Sequence, residues 1–150
     1  MAEILNIDPQ HMKGRRIKKA ADLLRDGGVI VYPTDTIYGL GCDITNKEAI
    51  ERIRRIKGRS SKKPMSFVCA DLSNVSDYAH VSNHAYRILK RSLPGPYTFV
   101  LPATRETPRI LQTKQKTVGL RVPNHPVPLA LVAELGHPII STSANYTDQE

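Results

Sequence analysis

Apolar residues recur along this chain at spacings that alternate between those of helices and those of strands. Three-to-four spacing predicts helices over residues 14–26, 45–57, 82–93 and 126–135. Short apolar runs between them predict strands at residues 29–32, 65–70, 97–101, 118–122 and 138–143, with at most a short turn at 108–111. Such alternation is typical of a mixed α/β domain, in which helices flank a twisted mixed sheet.

Local signals mark where two of these helices begin and end. Gly27 and Gly28 follow the first helix as a C-terminal stop. Thr45 and Glu48 have the spacing of a capping box, which predicts that Thr45 caps the second helix, and Gly58 ends that helix.

Charge adds a candidate partner to this picture. The 150 residues carry 22 Lys and Arg against 14 Asp and Glu, a formal net charge of +8. Residues 52–63 contain seven of these cations and no acid. Nucleotide phosphates, RNA and a merely solvated helix face all fit such a run.

Other functional classes find little support in the composition. No apolar run approaches the ~20 residues that span a bilayer. Residues 1–9 show neither a basic leader nor an apolar signal core. We therefore expect a cytoplasmic protein without a membrane partner. Cys42 and Cys69 stand apart from any histidine at ligand spacing, so we expect buried small hydrophobes and no protein metal site.

Two distant segments have the chemistry of one polyanion site. Lys57, Gly58 and Arg59 offer cations at a helix end, and residues 141–145 offer short hydroxyls and an amide at a strand end. Each segment also has a structural explanation. Cations complement a helix C-terminus without any ligand, and hydroxyls at a strand end can cap backbone groups.

Two further segments contain candidate binding groups. Residues 32–41 pack hydroxyls and one carboxylate between Pro33 and two glycines, directly after a strand, where ligand sites of open sheets gather; a plain turn is the alternative. Arg121 lies within an apolar strand pattern, so it either faces solvent or meets an anion such as a carboxylate.

Taken together, these segments resemble the YrdC-like family, which includes threonylcarbamoyl-AMP synthases. Five motifs occur in the family's order, at residues 27–41, 57–64, 93–98, 119–123 and 143–145. Residues 4–9, 71–73 and 102–108 are closer to the YciO-like branch. The resemblance implies a single YrdC-like domain over residues 1–150 with a concave basic face. It also implies that the family's C-terminal strands, which follow Ser-Ala-Asn, are lacking here.

The implied activity is the formation of threonylcarbamoyl-AMP and pyrophosphate from L-threonine, bicarbonate and ATP. Mg²⁺ is expected with the ATP, and the product supplies tRNA threonylcarbamoyladenosine through downstream transfer proteins. No protein nucleophile is required, because cations and positioning bring two anions together. The rival hypothesis is a non-enzymatic YciO-like protein that binds tRNA or double-stranded RNA on its basic face.

The resemblance also implies roles for individual residues. Lys57 and Arg59 would be the catalytic cations on the triphosphate and carbamate, and Ser143 and Asn145 would hold the nucleotide, with Lys63 and Thr117 as further nucleotide contacts. The threonine pocket would contain Thr34, Thr36, Arg121 and Ser141. Ser60 and Lys63 stand where many members have Pro and Asn.

Overall fold

Helices and strands alternate along the chain in the computed structural model, which describes residues 2–11, 14–58 and 65–145. The helices in this part of the chain are α1 (Arg15–Arg25), α2 (Lys47–Lys57), α3 (Leu72–Tyr78), α4 (Asn83–Ser92) and α5 (Pro126–Leu135), with a 3₁₀ turn at Arg109–Leu111. The strands are β1 (Ile30–Tyr32), β2 (Gly39–Asp43), β3 (Ser66–Val68), β4 (Phe99–Pro102), β5 (Thr117–Arg121) and β6 (Ile139–Ser143).

All six strands form one open sheet in the order β1-β2-β6-β3-β5-β4. Only the pairing of β3 with β5 is parallel among these strands, and the other pairings are antiparallel. The last of the described strands, β6, therefore lies in the middle of the sheet, between β2 and β3. The predicted fold class, a mixed sheet flanked by helices, is confirmed.

The sheet buries a different core on each face. Ile140 and Phe67 point to the face covered by α2, where Ile50 and Ile53 are buried. Their neighbours Ile139 and Val68 point to the other face and pack against α1 and α5. This inward and outward alternation follows from the two-residue period of a strand, and it explains why strands buried on both faces are almost continuously apolar.

Helices α1 and α2 end where the sequence predicts, but α2 begins with a different capping residue from the one predicted. The backbone N–H groups of Gly27 and Gly28 donate to the carbonyls of Leu24 and Leu23, as in a Schellman motif. Gly58 ends α2 with a positive φ of 63°. The capping prediction for Thr45 is wrong: the Asn46 side chain accepts from Ala49 N, while the Thr45 hydroxyl donates to Asp43.

Two elements are absent from the sequence prediction. Strand β2 contains two glycines and is buried at all five positions, so it shows neither strand propensity nor alternation. Helix α3 has seven residues, and Val75 is the one that is buried. One buried residue is too few to show a helical period.

Within the described residues, no helix is long and apolar enough to cross a membrane.

The two glycines of β2 make room for the ring of Tyr32. A Cβ atom at Gly39 would lie 2.7 Å from Tyr32 Cζ, and one at Gly41 would lie 3.0 Å from Tyr32 Cε1 and 2.7 Å from Ile139 Cγ2. Tyr32 thus lies across β2, and its hydroxyl reaches β6. This close packing positions one wall of the site described below.

Replacing Gly41 by alanine should test this packing. The added methyl must displace Tyr32 or Ile139, so we expect Gly41→Ala to lower the free energy of unfolding by about 1–3 kcal/mol. Gly14→Ala is the control for added volume, because no heavy atom lies within 4 Å of the added carbon; its own smaller cost is that of alanine at the N-cap of α1. Urea unfolding measures both variants, and equal stabilities would contradict the packing argument.

Candidate functional site

Lys57 joins the end of α2 to the end of β6. Its ammonium donates to the backbone carbonyls of Ser143 and Asn145, with Nζ–O distances of 2.8 and 2.6 Å. It also lies 3.4 Å from Ser143 Oγ and 3.3 Å from Asn145 Oδ1. The two segments that the sequence suggested as halves of one site are therefore in direct contact.

The geometry of β6 explains how these groups meet. Ser143 is its last residue, and the Ser143 hydroxyl donates to Asn145 Oδ1 at 2.5 Å. Lys57 is the last residue of α2, directly before the positive-φ glycine that ends the helix. The strand end and the helix end thus fix a cation, a hydroxyl and an amide within one small volume.

A polar surface, which we call the floor, lies on the sheet beside this contact. Ser141 pairs with Ser66 of β3, and Ser66 pairs with Gly119 of β5. Paired residues share a face, so these residues and Ser143 lie on the same side of the sheet. The floor consists of Ser66, Gly119, Ser141 and Ser143.

Thr117 lies at the same end of the sheet as Ser143. It begins β5, whereas Ser143 ends β6, and the two strands run in opposite directions with β3 between them. Two strand spacings separate them, about 9–10 Å. The hydroxyl of Thr117 is 2.6 Å from that of Thr113.

Arg121 is largely buried and paired with an acid from a distant loop. Its guanidinium bonds to Asp35 Oδ1, and the two side chains are 15% and 13% exposed. The other oxygen of Asp35 accepts from the backbone N–H of Asn124 at 2.9 Å. Arg121 Nε is buried without a hydrogen-bond partner in the structure. Of the two alternatives for Arg121, the structure selects the buried one.

Ser141 is buried beneath the hydroxyl of Tyr32, which donates to Ser141 Oγ at 2.5 Å. Tyr32 is 2% exposed. Burial raises the pKa of Tyr32 to about 12, and the Ser141 hydrogen bond and the positive charge of Arg121 oppose that rise. Tyr32 therefore remains a proton donor across the physiological range.

The loop 33–38 connects these groups. Thr34 Oγ1 donates to the Ile37 carbonyl at 2.6 Å and accepts from Thr36 N, which closes a local turn. Asp35 then reaches Arg121, and the Tyr38 carbonyl accepts from Ala144 N at 2.9 Å. Thr34 and Thr36 thus lie on a loop that is tied both to Arg121 and to the end of β6.

The remaining predicted site residues, Arg59 and Lys63, lie outside the described residues. The basic run that contains them does not present a uniform face. Arg54 donates to the Ile110 carbonyl at 2.6 Å and pairs with Glu51, whereas Arg52 and Arg55 are exposed. The charge of Arg54 is therefore used in contacts within the fold.

Sequence reasoning missed Asp35 and Tyr32 as site residues. Asp35 is the single acid in a segment rich in hydroxyls, and Arg121 is the single cation in an apolar strand. Opposite charges in two such segments are a signal for a buried pair, although one sequence does not show which acid meets which cation. Tyr32 ends β1, and no local pattern in the sequence shows that its ring lies across Gly39 and Gly41, seven and nine residues further along the chain.

Both cysteines are buried, as the sequence predicted. Burial raises the pKa of Cys42 to about 12 and raises that of Cys69 as well. Their thiols therefore stay protonated and act as small apolar groups. Among the described residues, no group of three or more His, Cys, Asp or Glu side chains is placed to hold a metal ion.

Comparison with known proteins places the chain in a family. Residues 22–150 match the Sua5/YciO/YrdC family model, whose description is telomere recombination. The chain is 46% identical to the uncharacterized protein YciO of Escherichia coli over 144 residues, which are 95% of this chain and 70% of that protein. It is 42% identical to threonylcarbamoyl-AMP synthase of Nitrosococcus oceani over 131 residues, 87% of this chain and 71% of that protein.

Solved structures agree with this assignment. The crystal structure of E. coli YciO superposes with a TM-score of 0.81 at 45% identity, covering 91% of this chain and 65% of that one. The structure of P. abyssi Sua5 complexed with L-threonine superposes with a TM-score of 0.82 at 32% identity, covering 94% of this chain and 40% of that one. The chain thus spans less than two thirds of these structures. It belongs to the Sua5/YciO/YrdC family.

Removing Asp35 should reveal how much the buried ion pair contributes to stability. Asp35→Ala leaves a largely buried guanidinium unpaired and Asn124 N without its acceptor, so we expect a loss of about 3 kcal/mol in urea unfolding. Lys18→Ala breaks the exposed pair with Asp22, which water and salt screen, and should cost far less than Asp35→Ala. Similar losses in the two variants would contradict the buried pairing.

Tyr32 should make the protein less stable at alkaline pH. Folding raises its pKa above the usual value of 10, so its contribution is complete below pH 10 and is lost as the pH rises through about 12. Urea unfolding at about pH 9 and about pH 11 should show a smaller loss in Tyr32→Phe than in the wild type. Because both proteins retain Cys42 and Cys69, equal losses would show that Tyr32 titrates normally.

Proposed function

We propose that this chain forms threonylcarbamoyl-AMP from L-threonine, bicarbonate and ATP, with release of pyrophosphate. One observation carries the proposal: Lys57, Ser143 and Asn145 converge beside a polar floor that Arg121 adjoins. Membership of a family that contains proteins named threonylcarbamoyl-AMP synthase supports the same reaction.

The reaction has two steps that this geometry suits. The threonine amine joins bicarbonate to give a carbamate and water. A carbamate oxygen then attacks the α-phosphate of ATP, which forms threonylcarbamoyl-AMP and expels pyrophosphate. The reacting partners are both anionic, so the protein must hold them together against their repulsion, which fixed cations and donors do.

Lys57 supplies positive charge at the place where the triphosphate and the carbamate meet. Ser143 and Asn145 hold the nucleotide next to it, and Thr117 contacts the nucleotide from the same end of the sheet. Arg59 and Lys63 add charge to the phosphates in this proposal. Existing hydrogen bonds fix the Lys57 ammonium before any ligand arrives, which lowers the cost of organising the site.

Arg121 binds the carboxylate of threonine. Asp35 holds the guanidinium through Nη2, so the cation is fixed beside the floor. Ser141 lies beneath, and Thr34 and Thr36 line the pocket on the loop above. The carboxylate is thereby held away from the carbamate, so the reacting end faces Lys57.

Mg²⁺ enters as the complex with ATP. The donor chemistry of the described site is hydroxyl, amide, ammonium and guanidinium, which suits phosphate oxygens, and the metal would be held by phosphates and water. The product would pass to tRNA threonylcarbamoyl-transfer proteins in the cytoplasm.

Pyrophosphate release tests the proposal. It should require L-threonine and bicarbonate together and should fall by about 100-fold or more in Lys57→Ala or Arg59→Ala, because each removes a charge from the reacting anions. Lys47→Ala, at the opposite end of the same helix, is the matched control and should keep full activity.

Two results would contradict the proposal. ATP turnover that ignores threonine would show a different reaction. Salt-sensitive binding of double-stranded RNA, without nucleotide turnover, would favour the non-enzymatic alternative.

A further inference from the structure

Ser66 lies at the centre of the floor, between the strands that carry Ser141 and Gly119. Strand β3 runs between β6 and β5, so Ser66 pairs with Ser141 on one side and with Gly119 on the other. Its side chain therefore shares a face with Ser141 and with Arg121, which follows Gly119 by two residues.

Ser66 is half-buried, so part of its side chain is accessible from solvent. A Cβ atom at Gly119 would lie 3.6 Å from Ser66 Oγ and 3.2 Å from Thr98 Cγ2. Helices α1 and α5 cover this face of the sheet at Val68 and Ile139. They do not reach Val100, which pairs with Gly119 and is 67% exposed. A small molecule can thus reach Ser66 from solvent.

The hydroxyl protons of Ser66 and Ser141 have no acceptor among the described residues. Ser66 makes no side-chain hydrogen bond there and is half-buried. Ser141 is 8% exposed, and its oxygen accepts from Tyr32. The Ser141 proton must therefore point away from Tyr32. The two serines are directly opposite, with Cβ atoms about 4.5–5.5 Å apart, yet they do not bond to each other.

Two hydroxyl donors at this separation can bridge one oxygen atom placed between them. The adjacent guanidinium of Arg121 favours an anionic oxygen. The combination of a planar cation and two O–H donors matches a carboxylate.

We propose that Ser66 is a further specificity-determining residue, which acts with Ser141 as a pair of donors to the carboxylate of the amino-acid substrate. Tyr32 orients the pair, because its donation to Ser141 leaves the serine proton free for the ligand. This inference rests on the proposed function and names the group of the substrate that Ser66 recognises.

Calorimetric titration with L-threonine and with L-threoninol, which lacks the carboxylate, tests the inference. Ser66→Ala should weaken L-threonine binding by about tenfold or more, the usual effect of losing a hydrogen bond to a charged group, and should leave L-threoninol binding unchanged. Ser66→Cys, which fills the space of the hydroxyl with a slightly larger and weakly donating thiol, should show the same selective loss if alanine proves unstable. Ser73→Ala, exposed on α3, is the matched control.

The outcomes separate this inference from the proposed function. If the wild type binds L-threonine and both Ser66 variants bind it equally well, Ser66 has no such role, while the proposed function stands. An equal loss for L-threonine and L-threoninol would also overturn the carboxylate assignment. If the wild type does not bind L-threonine, the proposed function fails and this inference fails with it.

Discussion

The central position of β6 is the constraint on which the rest of the structure depends. Five consecutive residues of this strand serve three purposes, because alternate side chains point to opposite faces. Ile139 and Ile140 complete the two cores, whereas Ser141 and Ser143 stand on the floor. Were β6 shifted by one residue, Ser141 and Ser143 would turn to the face beneath α2 and Ile140 would turn to the face of the floor. The antiparallel pairing with β2 and β3 holds that register.

A second feature of the molecule is that other protein groups hold the cations of the site in place. Arg121 and Lys57 are held by Asp35 and by the oxygens of Ser143 and Asn145. A cation that is already fixed in place need not be ordered when its ligand arrives, which is how a preorganised site lowers the cost of bringing anions together. The buried Asp35 also ties the loop 33–38 to the segment after β5, so the loop and the cation share one anchor.

Much of this arrangement could be predicted from the sequence, and the parts that could not have identifiable reasons. The helical and strand periods predicted four helices and five strands, and the chemistry of the Lys57 and Ser143 segments predicted their encounter. Strand β2 was not predicted because its two glycines make room for the Tyr32 ring, and this tertiary contact leaves no local signal in the sequence. The Asp35–Arg121 and Tyr32–Ser141 pairs join residues 86 and 109 positions apart, so they follow from strand order and register.

We propose that this site joins the carbon of bicarbonate to both threonine and AMP. Incubation with ¹³C-bicarbonate, L-threonine and the magnesium complex of ATP, followed by mass spectrometry, tests it most directly. The expected product is threonylcarbamoyl-AMP with one labelled carbon, formed in equal amount to pyrophosphate. Nucleotide products without label, or no product from a protein that is folded and binds ATP, would contradict it.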